Sequence, residues 1–198
     1  MRFVKEGETV TGNLNRKVLS ILDGASDWIL LEDLEKQMKF PPFICRTLLR
    51  PDIVIFSKDS NTVIIIELTC PCEENFEYWN GFKLIKYGDL KKECELAGWK
   101  VILFAVEVGA RGFASSSLKS CFQQLGIVGK KLRVSLDQVA TAAIRASFWI
   151  WMKRTEMPTE KPCDEHTTTM FASIKKTGKE SWPSLLIRQI ALCNRERK

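Results

Sequence analysis

The stretch Arg50–Thr69, RPDIVIFSKDSNTVIIIELT, constrains this chain more than any other. Two β-branched apolar runs, Ile53–Phe56 and Thr62–Leu68, flank a polar turn at Lys58–Asn61. That pattern predicts a β-hairpin. Each run carries one acid at its edge or end: Asp52 just precedes the first, and Glu67 stands near the close of the second. A carboxylate beside a buried sheet is costly unless something neutralises it. Two of them brought together by a hairpin are most simply neutralised by one shared divalent cation, and oxygen ligands suit Mg²⁺.

The rest of the chain is long enough to bury that hairpin. Its 198 residues, 45% of them hydrophobic, suit one domain with an appendage. Charge is spread unevenly. Residues 1–110 hold 14 Lys and Arg against 17 Asp and Glu, a net −3. Residues 111–154 hold 8 against 1, a net +7, and residues 155–198 hold 8 against 6, a net +2. The middle segment is the candidate for a polyanion, with a solvated basic face as the plain alternative.

The seven cysteines are odd in number and irregular in spacing, and MRFVKEGETV lacks the apolar core of a secretory signal. Reduced thiols and an intracellular location are the expectation. Cys70-Pro71-Cys72 lacks the spacing and the second knuckle of a zinc site, which leaves packing as its reading. The longest apolar run, Val101–Val106, is too short to span a bilayer, so no membrane partner is expected.

Taken in order, Val10–Leu22 has apolar residues at helical spacing and Gly24 ends it. Trp28–Leu31 suits either a strand or a turn of helix, and Phe40-Pro41-Pro42 stops any helix. After the hairpin and Pro71, the pattern predicts one long helix, Glu73–Ala97, with an acidic first turn and Gly98 as its stop. Trp99–Val108 reads as a buried strand, Gly109–Gly112 as a loop and Ser115–Leu125 as a helix. A basic turn, Gly129-Lys130-Lys131, then leads into a last helix, Leu136–Arg154, with Ala140, Ala143, Ile144, Ser147 and Trp151 on one side. From Thr155 the text becomes linker-like, and Trp182–Cys193 suits a short amphipathic helix. This order predicts an α/β core with a mixed sheet over residues 10–154.

At 100° per residue, Phe76, Trp79, Tyr87, Leu90, Cys94 and Ala97 share one stripe of the long helix. Lys83 falls in the middle of that stripe and Lys86 on its flank. Two readings are open for Lys83: its amine snorkels to solvent past an apolar stem, or it faces the two carboxylates and holds a water or a phosphate there.

RPD, an acid after fourteen residues and a lysine pair on the next helix resemble the restriction-like endonuclease of non-LTR retrotransposons, within the PD-(D/E)xK nuclease superfamily. The text is also similar to retroelement-associated metazoan proteins through FPPFICRTLLRPDIVIF, IIIELTCPCEE, KLIKYGDLKKECELAGWK, VEVGARGF and ASFWIWMKR. The resemblance covers residues 14–154. It implies a restriction-endonuclease-like three-layer core, a central mixed β-sheet flanked by helices, over residues 1–154. Residues 155–198, a linker and short helical tail, form a C-terminal helical extension outside it.

The resemblance implies a Mg²⁺- or Mn²⁺-dependent endonuclease acting on DNA. Asp52 and Glu67 match its metal-binding acids. The superfamily's lysine place, two residues after the second acid, holds Thr69 here. In the retrotransposon branch that lysine stands on the following helix, where Lys83 and Lys86 match it. Thr69 also keeps open the alternative of a catalytically inactive DNA-binding module with the same fold. With a strand carbonyl such as that of Leu68, the acids would hold the metal, and Lys83 would orient the attacking water or stabilise charge on the phosphate. Arg111, Lys130, Lys131 and Arg133, joined by Arg145, Lys153 and Arg154, would grip the DNA backbone. The implied location is nuclear. A homodimer and a retroelement reverse transcriptase are the further partners it brings in.

Several residues admit two readings from sequence. Tyr87 matches a family tyrosine but suits a core aromatic. Glu107 either supports the site or caps the Gly109–Gly112 loop, whose amides suit either a phosphate or a tight turn. Trp149 and Trp151 suit base stacking or core packing. Glu32 or Glu35 would serve as a third acid. His166, the single histidine, lies in the linker-like segment.

Overall fold

The structure, a computed structural model, describes residues 20–32 and 38–154. Its centre is the expected hairpin. Strand β2, Ile53–Ser57, pairs antiparallel with β3, Thr62–Thr69. Strand β1, Ile29–Glu32, adds antiparallel to β2, so the Trp28–Leu31 ambiguity resolves to strand. Strand β4, Lys100–Glu107, adds parallel to β3. The mixed four-stranded sheet therefore runs β1-β2-β3-β4.

Helices cover both faces of it. On one face Ile53, Ile55, Ile64, Ile66 and Leu68 pack with residues of helix α3, Ser116–Gln124, and helix α4, Gly129–Lys153. On the other, Val54, Phe56, Val63 and Ile65 pack with Tyr87, Leu90 and Cys94. This two-sided cover explains why β3 reads as an unbroken apolar run: Ile64, Ile65 and Ile66 are each fully buried.

Two apolar faces leave register weakly specified by hydrophobic pattern, because a one-residue slip would still bury isoleucine and valine. The turn supplies the missing constraint. Asn61 adopts a positive φ of 45°. The Asp27 carboxylate accepts from the Ser57 hydroxyl at 2.5 Å and from the amides of Lys58 and Asp59 at 2.8 and 3.1 Å. With register so fixed, Ile53 opposes Ile66, and one step further Asp52 stands across from Glu67.

Several helical expectations are corrected. The helix predicted over Glu73–Ala97 is a 3-10 turn at Glu73–Asn75, then α1, Phe76–Lys86, and α2, Gly88–Leu96. The break falls at Tyr87, whose ring is fully buried under the sheet and which is followed by Gly88, a poor helix former. Hydrogen bonds from Tyr87 N–H to the Lys83 carbonyl and from Lys91 N–H to the Tyr87 carbonyl bridge the break. The inward stripe fails at its end, since Ala97 is exposed.

The last helix begins at Gly129, so Lys130 and Lys131 form its first turn instead of a separate basic turn. Its buried stripe is Leu132, Ser135, Val139, Ala142 and Ala143, spaced by three and four. Ile144 and Trp151 lie outside that stripe and are exposed. The predicted Val10–Leu22 helix falls largely outside the described residues; its end appears as a 3-10 turn at Ile21–Gly24, capped by the Ser20 hydroxyl. Residues 155–198, with Trp182–Cys193 and His166, and Glu35 also lie outside them. No described helix is long and apolar enough to cross a membrane.

Candidate active site

The hairpin and α1 bring three predicted residues together. Asp52 immediately precedes β2 and Glu67 lies on β3, and each carboxylate accepts from a backbone amide at or next to the other. The Leu68 amide donates to Oδ2 of Asp52 at 2.7 Å, and the Asp52 amide donates to Oε2 of Glu67 at 3.3 Å. Lys83, on α1, donates from Nζ to Oε1 of Glu67 at 2.5 Å. Glu67 is buried and the Lys83 side chain nearly so. Lys83 therefore turns inward, and the snorkelling reading is set aside.

Lys86 does not reach the acids. It is exposed, and its Nζ donates to the Tyr87 hydroxyl at 3.3 Å while lying 4.8 Å from that ring's centre. The Tyr87 hydroxyl in turn donates to the Arg50 carbonyl at 3.2 Å, which ties the segment entering the hairpin to the end of α1.

Thr69, where the resemblance expects a lysine, shares the strand face of Glu67. Its hydroxyl oxygen is buried with no hydrogen-bond partner among the described residues.

Glu107 serves the neighbouring β4. It does not cap the Gly109–Gly112 loop with its carboxylate. Oε1 accepts from the Asn80 amide at 2.8 Å, and Oε2 accepts from the Ser117 hydroxyl. Asn80 and Ser117 carried no sequence signal: a lone amide or hydroxyl on a helix shows no period and no charge. The loop itself is held by Glu73, whose Oε1 accepts from the Arg111 amide at 3.0 Å. A Cβ on Gly109 would collide with that carboxylate, so glycine is what lets Glu73 lie against the loop. This Arg111 amide is thus occupied by the protein's own carboxylate.

Of the predicted DNA-gripping residues, Arg111 is spoken for in part. Its guanidinium pairs with Glu73 and Glu74, each at 2.7 Å. Burial pushes the Glu73 carboxyl up, but the hydrogen bonds from Arg111 prevail and hold it below the ordinary carboxylate value. Lys130, Lys131 and Arg133 are exposed on the first turns of α4. Trp151 is exposed, stacks with Phe148 at 6.1 Å and lies under the Arg154 guanidinium at 4.2 Å, so core packing is not its role. Glu32 ends β1, on the sheet's edge. Cys70 packs against the core, as the packing reading expects, whereas Cys72 is exposed and does not; both are free thiols.

No protein-family model matches the chain, and no curated protein matches it. The site's meaning must come from its own chemistry.

Among the described residues no group of three or more His, Cys, Asp or Glu side chains is arranged to hold a metal. Two carboxylates do not exclude Mg²⁺, which keeps several waters and uses one or two carboxylates with substrate phosphates. The trio of Asp52, Glu67 and Lys83 carries a formal net charge of −1, and the buried Thr69 hydroxyl has no hydrogen-bond partner among the described residues. A hard divalent cation with its water shell fits this oxygen-rich, anionic corner.

Proposed function

We propose that this chain is a Mg²⁺- or Mn²⁺-dependent endonuclease hydrolysing DNA phosphodiester bonds, with a restriction-endonuclease-like core and a retroelement origin. The observation that carries the reading is the meeting of Asp52, Glu67 and the Lys83 amine at the end of the hairpin. A lysine from the following helix reaches the acid that Thr69 leaves without a strand lysine. The retrotransposon branch of the superfamily has the same arrangement.

Asp52 and Glu67, with the Leu68 carbonyl, would bind the metal. The chemistry a bound Mg²⁺ supplies is polarisation of the scissile phosphate and a lowered pKa for its water. Lys83 has three N–H donors. One holds Glu67 in orientation, and the others serve the attacking water or a phosphate oxygen. Fixed donors of this kind, sheltered from water, dominate stabilisation of charge at a phosphate.

DNA backbone contacts fall to Lys130, Lys131 and Arg133. The first turn of a helix is its positive end, so cations there repel the dipole by several tenths of a kcal/mol, about 0.3–1 per group. A bound phosphate would relieve that repulsion. Lys86, exposed beside Tyr87, stands one turn beyond Lys83 and suits a phosphate further along the strand. A nuclear location, a second copy acting on the opposite strand and a reverse transcriptase partner belong to the same reading.

Purified protein should nick supercoiled plasmid with Mg²⁺ or Mn²⁺, and Asp52→Ala should abolish the nicking. Binding of DNA without cleavage under either ion would favour the inactive DNA-binding module instead, the reading that Thr69 motivates.

A further inference from the structure

No residue of helix α1 is fully buried; Phe76 and Trp79 are half-buried, and directional polar contacts add to their packing in fixing the helix on the sheet. Asn80 donates from Nδ2 to the Ala105 carbonyl at 2.9 Å and to Oε1 of Glu107 at 2.8 Å. Lys83 follows three residues later on the same helix and meets Glu67. Ala105 is the register partner of Glu67 on the neighbouring strand. The helix is therefore stitched to a single rung of the β3–β4 ladder, once through each strand.

The stitch continues below the sheet's end. Glu107 is 2% exposed, and its second oxygen takes the Ser117 hydroxyl. Ser117 and Ser115 share a hydrogen bond at 2.6 Å, and the Ser115 hydroxyl caps α3 by accepting from the Leu118 amide at 3.1 Å. One buried carboxylate thus links α1, β4 and the start of α3.

We propose that Asn80 and Glu107 are positioning residues: they set where α1 sits and hence where the Lys83 amine stands over Glu67 and Asp52. Neither residue needs to touch DNA or metal. The functional consequence rests on the nuclease reading, whereas the anchor itself does not. Asn80 is a half-buried polar residue, so truncating it opens no apolar cavity and the variant should fold.

The test uses the full chain with two readouts. In nicking assays, Asn80→Ala and Glu107→Ala should lower kcat by about 10²-fold, the size of a misplacement near 1 Å. KM for DNA should stay within about twofold, since substrate grip is untouched. Glu107→Gln can still accept from Asn80 and can donate to Ser117, so it should retain kcat near the wild-type value. The second readout is the rate of Lys83 acetylation by an N-hydroxysuccinimide ester, mapped by peptide mass spectrometry. It should rise several-fold in Asn80→Ala and Glu107→Ala, stay low in Glu107→Gln, and leave exposed Lys86 as the constant reference.

A wild-type protein that never nicks DNA removes the nuclease reading, and acetylation then decides the anchor alone. Unchanged Lys83 acetylation in Asn80→Ala, unchanged kcat in an active protein, or a Glu107→Gln loss as large as that of Glu107→Ala each overturns the anchor. If Asn80→Ala fails to fold, Ser117→Ala carries both readouts, with a smaller rise expected and no change in either overturning the proposal.

Discussion

The Nζ of Lys83 lies 2.5 Å from Oε1 of Glu67, with the two side chains 15% and 5% exposed. Removing one partner of so sheltered a pair leaves the other charge unpaired in low dielectric, and Lys83→Met should destabilise the fold by about 3 kcal/mol. Glu67→Gln/Lys83→Met should recover most of that loss, and urea unfolding of the four proteins measures the coupling. A Lys83→Met cost below about 1 kcal/mol would make this a surface-type pair. In DNA assays Lys83→Ala should cut turnover and leave affinity nearly intact. Lost affinity with turnover preserved would reduce Lys83 to a phosphate contact.

Asp27 holds the hairpin turn and so the register that sets Asp52 across from Glu67. Hydrogen bonds, that from Ser57 largest, hold its carboxyl below the ordinary value of 3.8 despite the opposing effect of desolvation. A depressed folded pKa means the stabilisation is fully present above that ordinary value and fades as pH falls through the lower folded one. Asp27→Ala should therefore lower Tm at neutral pH, and the gap to wild type should narrow below about pH 3.8 as the wild type loses the ionised latch that the variant already lacks. A gap independent of pH down to strong acid would assign the effect to packing.

The exposed lysines at the start of α4 carry the DNA-backbone reading. Lys130→Glu/Lys131→Glu should weaken DNA binding and flatten the log–log salt dependence by about one unit for each phosphate no longer gripped. An unchanged slope would remove this surface from the account.

The cysteines differ in reactivity by burial. Burial pushes the Cys94 thiol up to about 12, and Cys121, fully buried, is also raised. Both should resist iodoacetamide at pH 8 in the native protein, since the thiolate is the nucleophile. Exposed Cys72 should label readily. Labelling of Cys94 as fast as Cys72, read by peptide mapping, would show that α2 opens in the native state.

The hairpin was legible because β-branched runs and a polar turn are local signals. The inward lysine was legible because Lys83 interrupts an otherwise apolar helical stripe. The break at Tyr87 was not, since the burial of one ring leaves no period in the text. The start of α4 was missed because its first residues, Gly129, Lys130 and Lys131, are a glycine and two lysines and its N-cap residue, Val128, offers no capping side chain. Arg111 read as a free cation because its partners Glu73 and Glu74 are distant in sequence. The anchor through Asn80, Glu107 and Ser117 depends on contacts between α1, β4 and α3, which no local pattern encodes.

The central claim is that Asp52 and Glu67 share one cation beneath the Lys83 amine. Crystals soaked in Mn²⁺ test it through anomalous scattering. The account predicts a peak bonded to both carboxylates in the wild type and its loss in Asp52→Ala. A wild-type crystal at millimolar Mn²⁺ with no peak there, or with the two carboxylates turned apart, would contradict it.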